Sequence, residues 1–115
     1  MDEKILKWLF DIKTAIDEID GYFVNEKLDF FEYRNNQMRK RAVERNLEII
    51  GEATNRIIKY DKRFLERIKD ATAIVSLRNY VIHSYDSVSD ETIWAVLSNH
   101  LPILKNDINN LLDSN

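Results

Sequence analysis

Glycine occurs only twice and proline only once among the 115 residues of this chain. Average usage is roughly 7% glycine and 5% proline, and folds made of many strands need these residues in their tight turns. The scarcity therefore argues against a sandwich, a barrel or a collagen-like array. The length suits one hydrophobic core, so we predict a single domain over residues 1–115.

Four long segments have apolar residues at spacings of three and four, which is typical of amphipathic helices. They run from Asp2 to Asp20, over residues 37–60, from Asp70 or Thr72 to His83, and onward from Ser87 or Ser89. The last segment has the most regular stripe, formed by Ile93, Leu97, Leu101, Leu104, Ile108 and Leu111. Because such stripes are buried only against one another, we predict an all-α bundle of four main helices.

Shorter segments join these helices. Residues 22–36 are rich in aromatic side chains but only weakly periodic. We predict a connector there, with at most a short helical turn, that packs by its rings. Residues 61–69 are predicted to form a short helix or the end of the preceding long one.

Two residues inside predicted helices need an explanation. Gly51 lies in the middle of the second long helix, where glycine costs roughly 1 kcal/mol relative to alanine. A close approach by a neighbouring helix would compensate for this cost. Pro102 interrupts the last helix, and because proline removes one backbone hydrogen bond we predict a bend near Asn99.

Charge is distributed unevenly along the chain, although the net charge is only −3. Residues 34–69 carry 11 basic and 5 acidic side chains, and both flanking segments are acidic. A basic stripe can bind nucleic acid, but helices of opposite charge can also pack against each other. On charge alone we favour the second interpretation.

Most catalytic and metal-binding motifs are missing from the sequence. The chain has no cysteine and only two histidines, with no carboxylates at metal-ligand spacing. We therefore predict neither a metal nor a cofactor. His100 lies on the apolar side of the last helix, and we interpret it as a satisfied core or interface histidine. The acidic start and the lack of a long apolar run predict a cytoplasmic protein without a membrane segment.

The end of the third helix concentrates polar groups that suit chemistry, namely Arg78, Asn79, His83 and Tyr85. At about 100° per residue, Asn79 and His83 share a helix face, whereas Arg78 and His83 lie roughly 140° apart. One helix therefore does not clamp a small ligand between that arginine and that histidine. Either the arginine reaches around the helix or another surface completes the site, most simply a second copy of the chain.

An arginine and a histidine together suit phosphoryl transfer from RNA. Imidazole moves protons near neutral pH, and guanidinium stabilises charge on phosphate. The alternative is structural: His83 interacts favourably with the negative end of its helix, Arg78 is solvated and Tyr85 is packed. Spacing alone favours this structural interpretation.

The sequence nevertheless resembles a known family. Arg78, His83 and Tyr85 match the R-x4-H-x-Y signature of HepT-like toxins, which belong to the HEPN superfamily of helical domains. The run RAVERNLEIIGEATNRI, from Arg41 to Ile57, and the segment from Ile93 through Leu104 also resemble that family. The resemblance covers most of residues 37–112.

This resemblance implies a HEPN-type homodimer whose signature helices line a shared cleft. It further implies a metal-independent ribonuclease toxin paired with a minimal nucleotidyltransferase antitoxin. Arg78 would contact the scissile phosphate, His83 would act as acid or base, and Asn79 would be a supporting polar group. Tyr85 would accept AMP from the antitoxin, which would add negative charge where the substrate binds.

Two questions stay open at this point. Ser84 stands where the family often has glycine, and serine restricts the backbone angles that place Tyr85. Arg39, Lys40, Arg41 and Arg45 could line the cleft, and among them Arg41 and Arg45 share a helix face. The competing functional hypothesis is a non-catalytic helical module that holds a nucleotidyltransferase or a nucleotide in the same cleft.

Overall fold

The computed structural model describes residues 1–23, 29–83 and 88–114. Its helices are α1 (Glu3–Gly21), α2 (Phe30–Asn35), α3 (Gln37–Tyr60), α4 (Phe64–Arg67), α5 (Ala71–His83), α6 (Asp90–Ala95) and α7 (Leu101–Asp113). A π-helical turn, Val96–His100, joins α6 to α7. No strand is found in the described ranges, so the predicted all-α fold is confirmed. Ser84, Tyr85 and Ser87 lie outside these ranges.

Polar side chains fix where several helices begin. The Asp2 carboxylate accepts a hydrogen bond from the Lys4 backbone N–H at 2.7 Å, and the Asn36 side chain accepts one from Arg39 at 2.9 Å. Ser89 caps α6 by accepting from the Thr92 N–H at 3.2 Å. Each side chain satisfies a backbone donor that the first turn leaves unpaired. Of the two serines that could begin the last helix, Ser89 is therefore the one that caps it.

The long helix α3 is the centre of the bundle. Helices α1 and α5 both pack along it, and α7 packs on α1. The apolar stripes meet in one core, where Leu9, Ile50 and Leu104 have no exposed surface. Every residue of the predicted last stripe, from Ile93 to Leu111, is buried. The arrangement leaves an open surface over α3, between α1 and α5.

Aromatic packing holds the connector between α1 and α3. The Trp94 ring lies 5.6 Å from the fully buried Tyr33 ring, 5.9 Å from that of Phe30 and 6.3 Å from that of Phe23, measured between centroids. Burial raises the pKa of Tyr33, and the nearby carboxylates of Glu44 and Asp90 raise it further. The Phe31 ring lies 5.8 Å from that of Phe30 between centroids, but 68% of Phe31 is exposed.

Pro102 is accommodated by a widened turn. Proline has no N–H, and its ring crowds the carbonyl four residues earlier. The preceding residues form a π-helical turn, in which the Leu101 N–H donates to the Val96 carbonyl. Where a bend was predicted near Asn99, the structure has this π-helical turn over Val96–His100.

The predicted close approach at Gly51 involves α5. A Cβ atom added to Gly51 would overlap the Cβ of Arg78, and would lie 3.1 Å from its Cγ and 3.2 Å from the Ile74 carbonyl oxygen. Helix α5 thus crosses α3 where α3 has no side chain. The helix cost of this glycine is offset by the packing that it allows.

Exchanging Gly51 for alanine should force α3 and α5 apart. We expect Gly51→Ala to destabilise the fold by about 1–3 kcal/mol, the typical cost of overpacking, measured by urea unfolding. Gly21→Ala is the matched control, because an added Cβ there meets nothing within 4 Å. Equal stability of the two variants would contradict the close approach.

Candidate active site

A groove lies on the open surface over α3 and has a volume of about 360 Å³. Trp8 and Asp11 of α1 form one wall, and Arg78 and Ile82 of α5 form the other. The floor is the outer face of α3. Among the signature residues that the structure describes, Arg78 is the one that lines this groove, so the groove is the candidate site for the chemistry predicted from the sequence.

Three contacts fix the Arg78 side chain at the edge of the groove. Its Nη2 lies 2.7 Å from Oε2 of Glu52, and its Nη1 donates to Oδ1 of Asn79 at 3.0 Å. The stem passes over Gly51. With 27% of its side chain exposed, the arginine is held against α3 but remains accessible from the groove.

Glu52 is shared by two arginines. One of its oxygens pairs with Arg78, and the other, Oε1, accepts a hydrogen bond from Nε of Arg56 at 3.1 Å. Two guanidinium groups and one carboxylate leave this cluster with a formal charge of +1. A fixed positive group of this kind suits a phosphate, since charge-assisted contacts between arginine and phosphate are strong.

His83 lies apart from this cluster. It is the last residue of α5, is exposed, and makes no hydrogen bond to any residue that the structure describes. Ile82, one turn after Arg78, lines the groove, whereas His83 is not part of its walls. The structure therefore brings Arg78 and Asn79 together and leaves the imidazole outside the groove, in agreement with the helical angle predicted from the sequence.

The cations predicted to hold RNA are dispersed. Arg45 lines the groove, with 71% of its side chain exposed, and pairs with Glu48 at 3.3 Å. Arg41 is exposed one turn earlier on α3, outside the groove walls. Its charge lowers the pKa of Glu44 but does not offset the increase that burial causes.

The two cations that precede Arg41 take part in internal contacts. The Lys40 ammonium lies 2.8 Å from the Asp90 carboxylate, and this pair connects α3 with the start of α6. The Arg39 guanidinium lies over the Phe23 ring, 5.1 Å from its centroid. Arg45 is thus the one of the four suggested cations that lies in the groove with Arg78.

The second histidine is engaged elsewhere. Nδ1 of His100 lies 3.2 Å from the Asp70 carboxylate, and the ring borders a small apolar pocket beside Tyr80. Its interpretation as a satisfied histidine agrees with this pairing. Among the described residues, no group of three or more histidines and carboxylates is placed to hold a metal ion. The described helices also include none that is long and apolar enough to cross a bilayer.

The fold and the groove define a class of protein: an all-α bundle in which one helix, α5, places a buttressed arginine in a groove and ends in an exposed histidine. The model of the family described as "Ribonuclease HepT-like" matches residues 12–111. This match spans both α3 and α5. The chain therefore belongs to the HepT-like ribonuclease family of HEPN proteins.

Curated relatives agree with this assignment. A Methanocaldococcus jannaschii protein named "Putative RNase" is 32% identical over 103 residues, which cover 88% of this chain and 90% of the relative. A second one from the same organism is 30% identical over 94% of this chain and 90% of its own length. "Probable ribonuclease HepT" of Thermococcus cleftensis is 31% identical over 85% and 86%. No solved structure gives a significant match.

Sequence reasoning did not identify Glu52 and Arg56 as part of the site. Two signals were present. The pair has the four-residue spacing of a helical ion pair, and Glu52 directly follows Gly51, where a close approach by another helix was predicted. The sequence does not specify how α5 is rotated about its axis. This rotation decides that Arg78 is the side chain that reaches Glu52.

Proposed function

We propose that this protein is a metal-independent endoribonuclease that acts in the cytoplasm as the toxin of a type II/VII-like toxin-antitoxin pair. The observation that supports the proposal most strongly is the state of Arg78. Its guanidinium is held by Glu52 and Asn79 in a groove, where a solvated surface arginine would have neither partner. Family membership favours RNA as the substrate.

In the proposed reaction the ribose 2'-hydroxyl attacks the adjacent phosphorus. The bond from O2' to phosphorus forms and the bond from phosphorus to O5' breaks, which leaves a 2',3'-cyclic phosphate and a free 5'-hydroxyl. His83 transfers the proton from the attacking oxygen or to the leaving oxygen, because imidazole exchanges protons near neutral pH. Arg78 stabilises the charge that develops on the phosphate oxygens.

A second copy of the chain completes this site. Within one protomer His83 lies outside the groove that holds Arg78. A two-fold axis beside α5 would bring the His83 of one copy towards the Arg78 groove of the other, since the same patch meets itself in such an interface. Arg45, and Arg41 beyond it, would then extend the cationic surface along the RNA backbone.

Loss of His83 should abolish cleavage. We expect His83→Ala to lower the cleavage rate by about 10²–10⁴-fold, the usual contribution of a general acid or base, with Arg78→Ala reduced to a similar degree. The measurement is cleavage of a labelled pool of random-sequence RNA of one length. His100→Ala is the matched control, because this histidine pairs with Asp70 instead.

Parent-level cleavage by the His83 variant would exclude the nuclease mechanism. A protein that cuts no RNA but binds a nucleotidyltransferase through the same groove would support the binding-module alternative. Under that alternative, the His83 and Arg78 variants should still bind the partner.

If two copies form the site, sedimentation equilibrium should give a mass of twice 13.7 kDa.

Ile82 lines the groove one turn from Arg78 and is 36% exposed. A charge there should be costly to bury in the interface, so we expect Ile82→Glu to give monomers and to lose cleavage. Ile103→Glu is the matched control, because Ile103 is 37% exposed on α7. A parent protein that sediments as a monomer would refute the shared site.

Tyr85 is the proposed acceptor of AMP from the nucleotidyltransferase antitoxin. Its phenol oxygen would attack the α-phosphorus of ATP, form a phosphodiester to AMP and release diphosphate. Intact mass after incubation with the partner and ATP should increase by one or more AMP groups, and RNA cleavage should cease. We expect Tyr85→Phe to prevent the increase in mass, and Tyr80→Phe to show the same increase as the parent protein. Full modification of the Tyr85 variant would show that another residue is the acceptor.

A further inference from the structure

We propose that Glu52 is a positioning residue that fixes the Arg78 guanidinium for contact with an RNA phosphate. This inference rests on the proposed nuclease function and extends it to a residue outside the signature helix. Glu52 belongs to α3, whereas the signature residues belong to α5 and the segment after it. The site would then depend on the pairing of two helices as well as on the signature.

The first argument is the number of hydrogen-bond donors that remain. Guanidinium has five N–H donors in one rigid plane. Nη2 forms an ion pair with Glu52, and Nη1 donates one N–H to Asn79. Nε is buried and finds no acceptor among the described residues. At least one N–H on each terminal nitrogen is therefore left for a phosphate oxygen, and the plane is already fixed by partners on two helices.

The second argument is the way the stem is held. Because Gly51 has no side chain, the Cβ and Cγ atoms of Arg78 lie directly against the α3 backbone. Glu52, the next residue, then meets the guanidinium at the other end of the same side chain. Both ends of Arg78 are thus fixed by consecutive residues of α3, which reduces the rotamer freedom that a substrate contact would otherwise have to remove.

The third argument is charge. Glu52 also holds Arg56, so neutralising the carboxylate changes the formal charge of the cluster from +1 to +2. A more positive groove binds RNA more tightly. The same change releases Arg78 from its fixed orientation, which slows the chemical step. A positioning role therefore predicts opposite effects on affinity and turnover, whereas a merely structural role changes stability alone.

Glu52→Gln tests this inference, with Glu66→Gln as the matched control. Glu66 is an exposed glutamate on α4 and lies outside the groove walls. On the random-sequence RNA pool, we expect Glu52→Gln to lower kcat about tenfold, as loss of orientation does, without raising KM. Glu66→Gln should keep the parent kcat. Equal kcat values for the two variants, at matched thermal stability, would overturn the inference.

Solvent exchange of the Arg78 Nε–H, followed by NMR, provides a readout that does not depend on cleavage. Because this nitrogen is buried, we expect slow exchange in the parent and in Glu66→Gln, and faster exchange in Glu52→Gln. Unchanged exchange in Glu52→Gln would overturn the positioning role. An uncut RNA pool with the parent protein would refute the nuclease, and the exchange measurement would still decide whether Glu52 holds Arg78.

Discussion

The contact between α3 and α5 at Gly51 is the constraint on which the rest of the structure depends. Helix α5 crosses where α3 carries only hydrogen, so the stem of Arg78 lies against the α3 backbone. This crossing closes the core on one side and fixes the arginine beside Glu52 on the other. Stability and the candidate chemistry therefore depend on the same few atoms, and any shift of α5 along α3 changes both.

The parts of the fold that follow local rules could be predicted from the sequence. Residues 37–60 form one helix as expected, because a long apolar stripe without proline leaves few alternatives. The choice between Ser87 and Ser89 as a cap was open, since both are good capping residues. The widened turn before Pro102 could not be predicted from the sequence either. Proline predicts an interruption, but a helix can accommodate proline by a kink or by a π-helical turn, and periodicity does not distinguish the two.

The candidate site also has one part that the sequence predicts and another that it does not. The angle between Arg78 and His83 follows from helix geometry alone, and it already indicated that one helix does not clamp a ligand between these two side chains. The ion pair between Glu52 and Arg78 joins residues 26 positions apart on two helices. No periodicity specifies how those helices rotate against each other. The ion pair between Lys40 and Asp90 could not be predicted for the same reason, because the two residues lie 50 positions apart.

The π-helical turn gives the last helix one residue more than a regular helix needs. Such a turn closes its hydrogen bond over five residues, where an α-helical turn closes it over four. Deleting one residue from Val96–His100 would therefore restore a regular helix and keep the orientation of α7, with Leu104 and Ile108 still in the core. A deletion within α7 itself would instead rotate every later side chain by about 100°. The bundle should thus tolerate the loss of one residue at this turn but not in the helix that follows.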